Sequence, residues 1–366
     1  MLILALSGRA LAQAAARAGF QVEVLDCFAD TDTVACARRV HRAEGDGHAF
    51  NMRALQRRIA FLAQRYGDRE VVVGSGFEHC PGALREITAG WRVYANPVTV
   101  IQELKDWRRF FSLLDRLNIP HPAVTAVLPG TGWLRKSGAG AGGRQVCRAE
   151  ISGQSLASGE YYQRWQPGRV LSAVFLGDGR EARIVGYSEQ AQVRIGACPW
   201  VYAGAVSLPS VTRDWAGTIA DWAGRLTAAT GLRGLCGLDF ILDPQGWPWL
   251  LEVNPRPPAS FELHDTSETI LFAAHIRACE GQLPRLRPRT GPCLAQAVLY
   301  ATQAVTIPAD FHWPEWASDL PAGGTTIRQG QPICSVRAQG DEPGQAMAAA
   351  LQRRQQMESG LHAQQS

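Results

Sequence analysis

The chain of 366 residues is 46% hydrophobic and 19% charged, an ordinary globular balance with length for two or three packed units rather than one. Its 37 basic and 33 acidic residues are interspersed, so the net charge of +4 marks no basic patch for nucleic acid or a membrane surface. No segment reaches about 18 consecutive apolar residues, which argues against a membrane span. Nine cysteines without a CxxC pair or a zinc-spaced Cys/His cluster read as reduced thiols of a cytoplasmic protein.

The opening MLILALSGRALAQAAARAG has no basic start and its apolar run stops at Ser7, so it reads as strand, turn and helix rather than a cleaved leader. Leu2 to Leu6 form the strand, Ser7-Gly8 the turn, and Arg9 to Ala18 a helix stopped by Gly19. A strand from Gln21 to Leu25 completes a βαβ unit. A helix from Met52 to Tyr66 and a strand from Glu70 to Val73, ending in Gly74-Ser75-Gly76, extend it into a small parallel sheet. Ligands of such sheets lie at the carboxyl ends of the strands. Ser7, Gly8, Asp26, Gly76 and Glu78 are therefore either substrate contacts on one rim or merely turns and strand ends.

Asn96-Pro97 marks a boundary, followed by a helix from Val98 to Leu117 and a strand from Ala123 to Leu128. From Gly132 to Gly186 short apolar runs alternate with glycine turns, as in an antiparallel sheet. A helix from Trp215 to Thr230 ends at Gly231. Strands from Gly237 to Leu242 and from Trp247 to Val253 flank the turn Asp243 to Gly246. A helix from Glu268 to Glu280, a β-rich stretch over 293–338 containing the strand Pro332-Ile333-Cys334, and a helix from Gln345 that dissolves into a polar tail at Ser366 complete the chain.

Three clusters carry chemistry. Asp239 on one strand and Glu252 and Asn254 at the end of the next can gather three oxygen ligands, the donor set that nucleotide-bound Mg²⁺ accepts, with Arg256 just beyond. Lys136, one of only two lysines with Lys105, ends a strand and enters the run Ser137-Gly138-Ala139-Gly140-Ala141-Gly142-Gly143-Arg144. That run matches GxGxxG at Gly138, Gly140 and Gly143, yet a strand follows where a dinucleotide fingerprint needs a helix. Arg144-Gln145 also stand where a P-loop needs Lys-Ser/Thr. What remains is either a hairpin covering ATP or a plain surface loop. The extended run Glu160 to Gly168 offers Gln163, Arg164, Trp165 and Gln166 to an adenine edge; Tyr162 and Trp165 equally suit packing. His264 and Cys334 stand alone and read as structural.

Taken in order, these motifs resemble the ATP-grasp superfamily over residues 1 to 290, most nearly predicted ATP-dependent carboligases related to biotin carboxylase, and more loosely the tyramine–glutamate ligase of methanofuran biosynthesis. The resemblance implies an α/β and α+β fold: a Rossmann-like pre-ATP-grasp domain over 1–95, an ATP-grasp domain over 96–290 with subdomains 96–165 and 166–290, a β-rich unit over 291–345, and a helix and tail over 346–366. It implies that Lys105 and Lys136 contact ATP phosphates, that Gly138, Gly140, Gly142 and Gly143 close over them, and that Gln163 to Gln166 hold adenine. Asp239, Glu252 and Asn254 would bind Mg²⁺ or Mn²⁺, and Arg256 and Lys136 would be catalytic. The activity implied is joining a carboxylate to an amine through an acyl phosphate, in a cytoplasmic enzyme that forms homodimers and builds a methanofuran-like one-carbon cofactor. One departure stands out. Biotin carboxylase carries a glutamate in Arg-x-x-x-Glu that deprotonates bicarbonate; here that position is Ser260, with Glu262 two residues later. A bicarbonate-using carboligase and a non-catalytic ATP-binding protein are the rival readings.

Overall fold

A computed structural model of the chain describes residues 1–65, 70–138, 140, 142–149, 156–209, 214–266, 269–286 and 291–363. Tyr66, Glu268 and Ser366, expected ends of three helices, and Ala139 and Ala141 of the glycine run lie outside the described residues.

The N-terminal part is a five-stranded parallel sheet in the order Arg39–Arg42, Glu23–Asp26, Leu2–Leu4, Glu70–Val73, Arg92–Tyr94. Its central strand, Leu2–Leu4, is covered on both faces, which is why it is apolar throughout. The two outermost strands escaped the sequence reading because they carry exposed arginines at sheet edges. Strand order reverses between Leu2–Leu4 and Glu70–Val73, the place where a doubly wound sheet opens a ligand crevice.

The expected helix from Val98 to Leu117 is two helices, Val98–Lys105 and Trp107–Arg116. Asp106 separates them: its backbone is extended and its carboxylate accepts from Arg108 N (3.0 Å) and Arg109 N (3.1 Å), capping the second helix. The break turns Lys105 into the last residue of its helix. The strand expected from Ala123 to Leu128 shrinks to Val124–Thr125.

Those two residues belong to a four-stranded sheet, Val124–Thr125, Glu160–Arg164, Trp133–Ser137, Cys147–Arg148. An eight-stranded sheet faces it, ordered Pro248–Asn254, Arg233–Leu242, Arg169–Asp178, Ala182–Ile195, Cys198–Leu208, Cys293–Tyr300, Pro332–Gly340, Ala317–Ser318. The C-terminal β-rich stretch is therefore continuous with the central sheet, through pairing of Gly204 to Val206 with Ala295 to Ala297. That pairing satisfies an edge that would otherwise be bare. Helix Pro343–Ala363 lays Ala346, Ala350, Met357 and Leu361 on this end, one apolar stripe at helical spacing.

Beneath the other end, helix Asp214–Thr230 buries Trp222 and Leu226 against Phe240 and Leu250. Each such side chain contributes about 1.5–3 kcal/mol when removed from water. These contacts hold the strands that carry the carboxylates.

Candidate active site

Strands Arg233–Leu242 and Pro248–Asn254 pair with Asp239 opposite Glu252 and Gly237 opposite Asn254. Opposite residues share a face, so the pairing sends all three polar side chains to one side, while Leu238 and Val253 are buried on the other. A register shift follows at Phe240, which pairs with Leu250 and leaves Leu251 bulged.

Asp239 accepts from Gln190 Nε2 (2.8 Å) and from Asn254 Nδ2 (2.9 Å). Burial, and then the neighbouring Glu252 carboxylate, push Asp239 up to about 8. Glu252 is held down, against the cost of burial, by Lys105 and Lys136. Two opposed carboxylates are thus kept together with cations behind them, and a divalent cation in front would relieve their remaining repulsion. The donors are all oxygens, which fits Mg²⁺ rather than a softer metal. Among the described residues no group of three or more His, Cys, Asp and Glu side chains assembles, so the set here is two carboxylates and an amide.

The lysines occupy different places. Lys136 shares a sheet face with Gln163, because Lys136 pairs with Tyr161 and Leu134 with Gln163; its Nζ donates to Gln163 Oε1 at 3.0 Å. Burial lowers its pKa against the pull of Glu252 and Asp239. Lys105 lies behind the acidic pair, its side chain 4% exposed, donating to Asn254 Oδ1 (3.4 Å) and standing 3.8 Å from Glu252 Oε2. It does not line the adjoining cavity, so in this structure it steadies the carboxylates rather than facing the space where phosphates were expected.

That cavity, about 340 Å³, lies between the two antiparallel sheets. Lys136, Gly140, Gly142, Gly143, Gln163, Arg164, Trp165, Gln166, Asp239, Glu252, Asn254 and Arg256 all line it. Gly138 does not; a Cβ there would sit 2.4 Å from the Lys105 carbonyl, so it packs against the helix end instead. Gln163 is 1% exposed and its Nε2 has no partner among the described residues, an unspent donor on the cavity wall.

The glycine run is fastened across the central sheet: Gly142 O accepts from Tyr202 N at 3.0 Å. Gly143 has φ +73° and a Cβ on it would stand 1.9 Å from Trp200 O. Gly143→Ala is therefore expected to lift the run from the sheet, costing about 1–3 kcal/mol, and to raise the KM for ATP about tenfold with little change in kcat. Steady-state kinetics at varied ATP checks this.

Arg256 lies where the first cavity meets a second, lining both. It donates through Nε to Glu78 Oε1, and through Nη1 to Pro257 O at 3.2 Å. Glu78 also accepts from Gly76 N at 2.8 Å. Burial alone would raise the Glu78 pKa, but Arg256 and Lys105 hold it down to about 2. A depressed carboxylate stabilises the fold above its unfolded pKa, here the ordinary glutamate value near 4.5, and that stability is lost as pH falls toward 2. Glu78→Gln should cost about 3 kcal/mol at pH 7, with the gap to the parent closing between about pH 4.5 and 2, in urea melts run across pH.

The rest of the N-terminal rim divides. Asp26 is buried and spent on backbone, accepting from Gly8 N (2.9 Å), Ala29 N (2.8 Å) and Phe28 N (3.2 Å), and Gly8 packs on Val24. Ser7 lines the second cavity. His264 is buried with Nε2 2.9 Å from Ser188 Oγ, a packing role, and all nine cysteines are free thiols. Glu78 as the partner of Arg256, and Gln190 as the partner of Asp239, were invisible to motif reading, because each comes from a distant strand or turn.

The ATP-grasp domain family model matches residues 105–260, the stretch from Lys105 past the hairpin of Asp239, Glu252 and Asn254 and beyond Arg256. Residues 105–260 are thus identified as an ATP-grasp domain. Among solved structures the chain's fold is similar to Rhizobium etli pyruvate carboxylase (TM-score 0.74, 15% identity), covering 94% of this chain and 36% of that one. It is similar to Campylobacter jejuni biotin carboxylase, solved as a β,γ-ATP complex (TM-score 0.73, 16% identity, 96% of this chain and 90% of that one). It is also similar to N5-carboxyaminoimidazole ribonucleotide synthetase from Thermotoga maritima (TM-score 0.67, 17% identity, 97% of each chain). The chain thus spans about a third of the multifunctional carboxylase and nearly the whole of the smaller enzymes. No curated protein matches the sequence. Among the described residues no helix of this ATP-grasp chain is long and apolar enough to cross a membrane.

Proposed function

We propose that this ATP-grasp chain is a carboxylate–amine ligase that activates a small-molecule acid as its acyl phosphate and transfers the acyl group to an amine, releasing ADP and phosphate. The observation that carries the reading is Arg256, set on the wall common to two cavities, one of which holds the complete Asp239–Glu252–Asn254 face and Lys136. Asp239, Glu252 and Asn254 would hold Mg²⁺ or Mn²⁺, which when bound supplies charge neutralisation on the transferred phosphoryl group. Lys136 meets the phosphates with Gly140, Gly142 and Gly143 above them, and Gln163 to Gln166 take the adenine. Arg256, fixed in advance by Glu78, offers its remaining N–H groups to the acyl phosphate and to the oxyanion formed when the amine attacks.

Bicarbonate as the acid is disfavoured by the fate of Glu262, the first glutamate after Arg256 in the chain. Glu262, its side chain 10% exposed, is ion-paired with the buried Arg9, accepting from its Nη2 at 3.0 Å, with Arg337 3.3 Å away. It is committed to structure and is not free to act as a base, and Ser260 stands on the cavity wall in its place. The domain division at 95, 290 and 345, a homodimer, a cytoplasmic setting, and a role in building a glutamate-containing one-carbon cofactor are finer parts of this reading. The cofactor role rests on the tyramine–glutamate ligase resemblance alone.

The test is ADP release by the purified chain with Mg-ATP across pooled carboxylic acids and amines. Release that requires one acid and one amine together is the expected result. Release with bicarbonate alone would replace the ligase reading by a carboxylase one.

A further inference from the structure

The second cavity, about 610 Å³, opens where the parallel sheet reverses its strand order and is closed by the C-terminal strands. Leu6, Ser7, Gly74 and Ser75 form one side, and Gln296, Tyr300 and Ser335 the other. Its volume suits a small molecule.

Most charges around it are already spent. Arg9 is shared between Glu262 and Asp319, with Nε 2.9 Å from Asp319 Oδ1. Asp32 accepts from Asp319 N (2.9 Å) and Leu320 N (3.1 Å), and Arg256 is held by Glu78. Three polar groups on the wall are left over. Asp30 is 5% exposed; its carbonyl accepts from Val34 N, but its carboxyl has no hydrogen-bond or ion-pair partner among the described residues. Gln296 is equally buried, with its Oε1 unpartnered, and the buried Tyr202 hydroxyl is unpartnered too. Two of the three are acceptors without a donor, and the exposed Arg42 and Arg328 stand at the cavity's outer edge.

We propose that this cavity is the seat of the amine substrate, a primary ammonium whose N–H groups are received by Asp30 and Gln296 Oε1 beside the Tyr202 hydroxyl, facing Arg256. The assignment rests on the ligase reading above and names the class of its nucleophile. A buried carboxyl with no donor on it, standing among the Asp319, Asp26 and Asp32 carboxyls, selects a cation over a second acid, because a carboxylate ligand would add to that negative charge while an ammonium offsets it. Burial, then Asp319 and Asp26, push Asp30 up to about 8 in the empty cavity; an ammonium seated beside it favours the ionised carboxylate, which is then basic enough to take a proton from that ammonium. In the transfer the ammonium gives one proton to the Asp30 carboxylate, and the neutral nitrogen forms the C–N bond as the C–O bond to phosphate breaks. The second N–H proton leaves with the phosphate.

Binding separates this inference from the ligase reading. Thermal melts of the full chain would be run with ethanolamine, glycinamide, putrescine and benzylamine, each beside the matching alcohol or carboxylate, and titrated for Kd. Wild type is expected to be stabilised by amines only. Asp30→Asn and, as a second variant in case the first folds poorly, Gln296→Leu are expected to weaken the best amine by about tenfold or more. No stabilisation by any amine, equal stabilisation of both variants, or preference for the carboxylates overturns the assignment. A separate wild-type assay, trapping acyl phosphate with hydroxylamine in the presence of Mg-ATP and pooled acids, decides the ligase reading. A chain that binds amines but yields no hydroxamate keeps the amine site and loses the ligase.

Discussion

Glu252→Gln is expected to lower acid-dependent ADP release by about a thousandfold and to shift the Mg²⁺ concentration needed for half-maximal rate upward. The substitution keeps the shape of the side chain and removes one of the two carboxylates, Asp239 and Glu252, of the proposed metal set. Asp239 and the Asn254 amide then remain for a cation that takes one or two protein carboxylates beside the phosphates. A modest loss of stability is expected as well: Lys105 and Lys136 hold Glu252 below the usual glutamate range and lose that partner, while Asp239, pushed up to about 8 partly by Glu252, is relieved of a like charge. A cooperative melt retained well above the assay temperature together with lost turnover separates a metal-binding defect from unfolding. Retained turnover at low Mg²⁺ would remove Glu252 from the metal set.

Arg256→Lys is the second large effect. It should lower kcat by about 100- to 1,000-fold while leaving the KM for ATP nearly unchanged. The guanidinium serves two directions at once: Nε is committed to Glu78 and Nη1 to Pro257 O, which leaves the other donors for the cavities. An ammonium at that distance is a single point charge and would stay with the buried Glu78 carboxylate, vacating the place where negative charge develops. The proposed adenine contacts, Gln163 to Gln166, run from the end of strand Glu160–Arg164 in the other sheet, so ATP binding is expected to be spared. A fall confined to KM, with kcat preserved, would make Arg256 a nucleotide-binding residue only.

The sequence was most informative where the chemistry is local. The hairpin carrying Asp239, Glu252 and Asn254, and the strand delivering Lys136 to the glycine run, are short segments whose face is set by a period of two residues. Strand Glu70–Val73 was legible to the residue, because an apolar run ends at a glycine turn. What escaped depends on closure in three dimensions. Glu78 and Arg256 are far apart in the chain, and nothing in the run Gly76-Phe77-Glu78 announces an arginine partner. The placement of Lys105 beside Asn254 and Glu252 was not legible either, because it depends on Asp106 capping the following helix and ending the lysine's own. The continuity of the C-terminal strands with the central sheet was hidden for a related reason. Pairing between residues near 205 and 296 is a long-range register that alternation alone does not specify.

The central claim is that an acid's own oxygen attacks the γ-phosphate. Its most direct test supplies the acid that supports ADP release labelled with oxygen-18 in its carboxylate, and analyses the phosphate by mass spectrometry. One labelled oxygen in each phosphate released is the result this account predicts. Phosphate that carries no label while ADP accumulates would mean that the phosphoryl group passed to water, and would contradict an acyl-phosphate ligase.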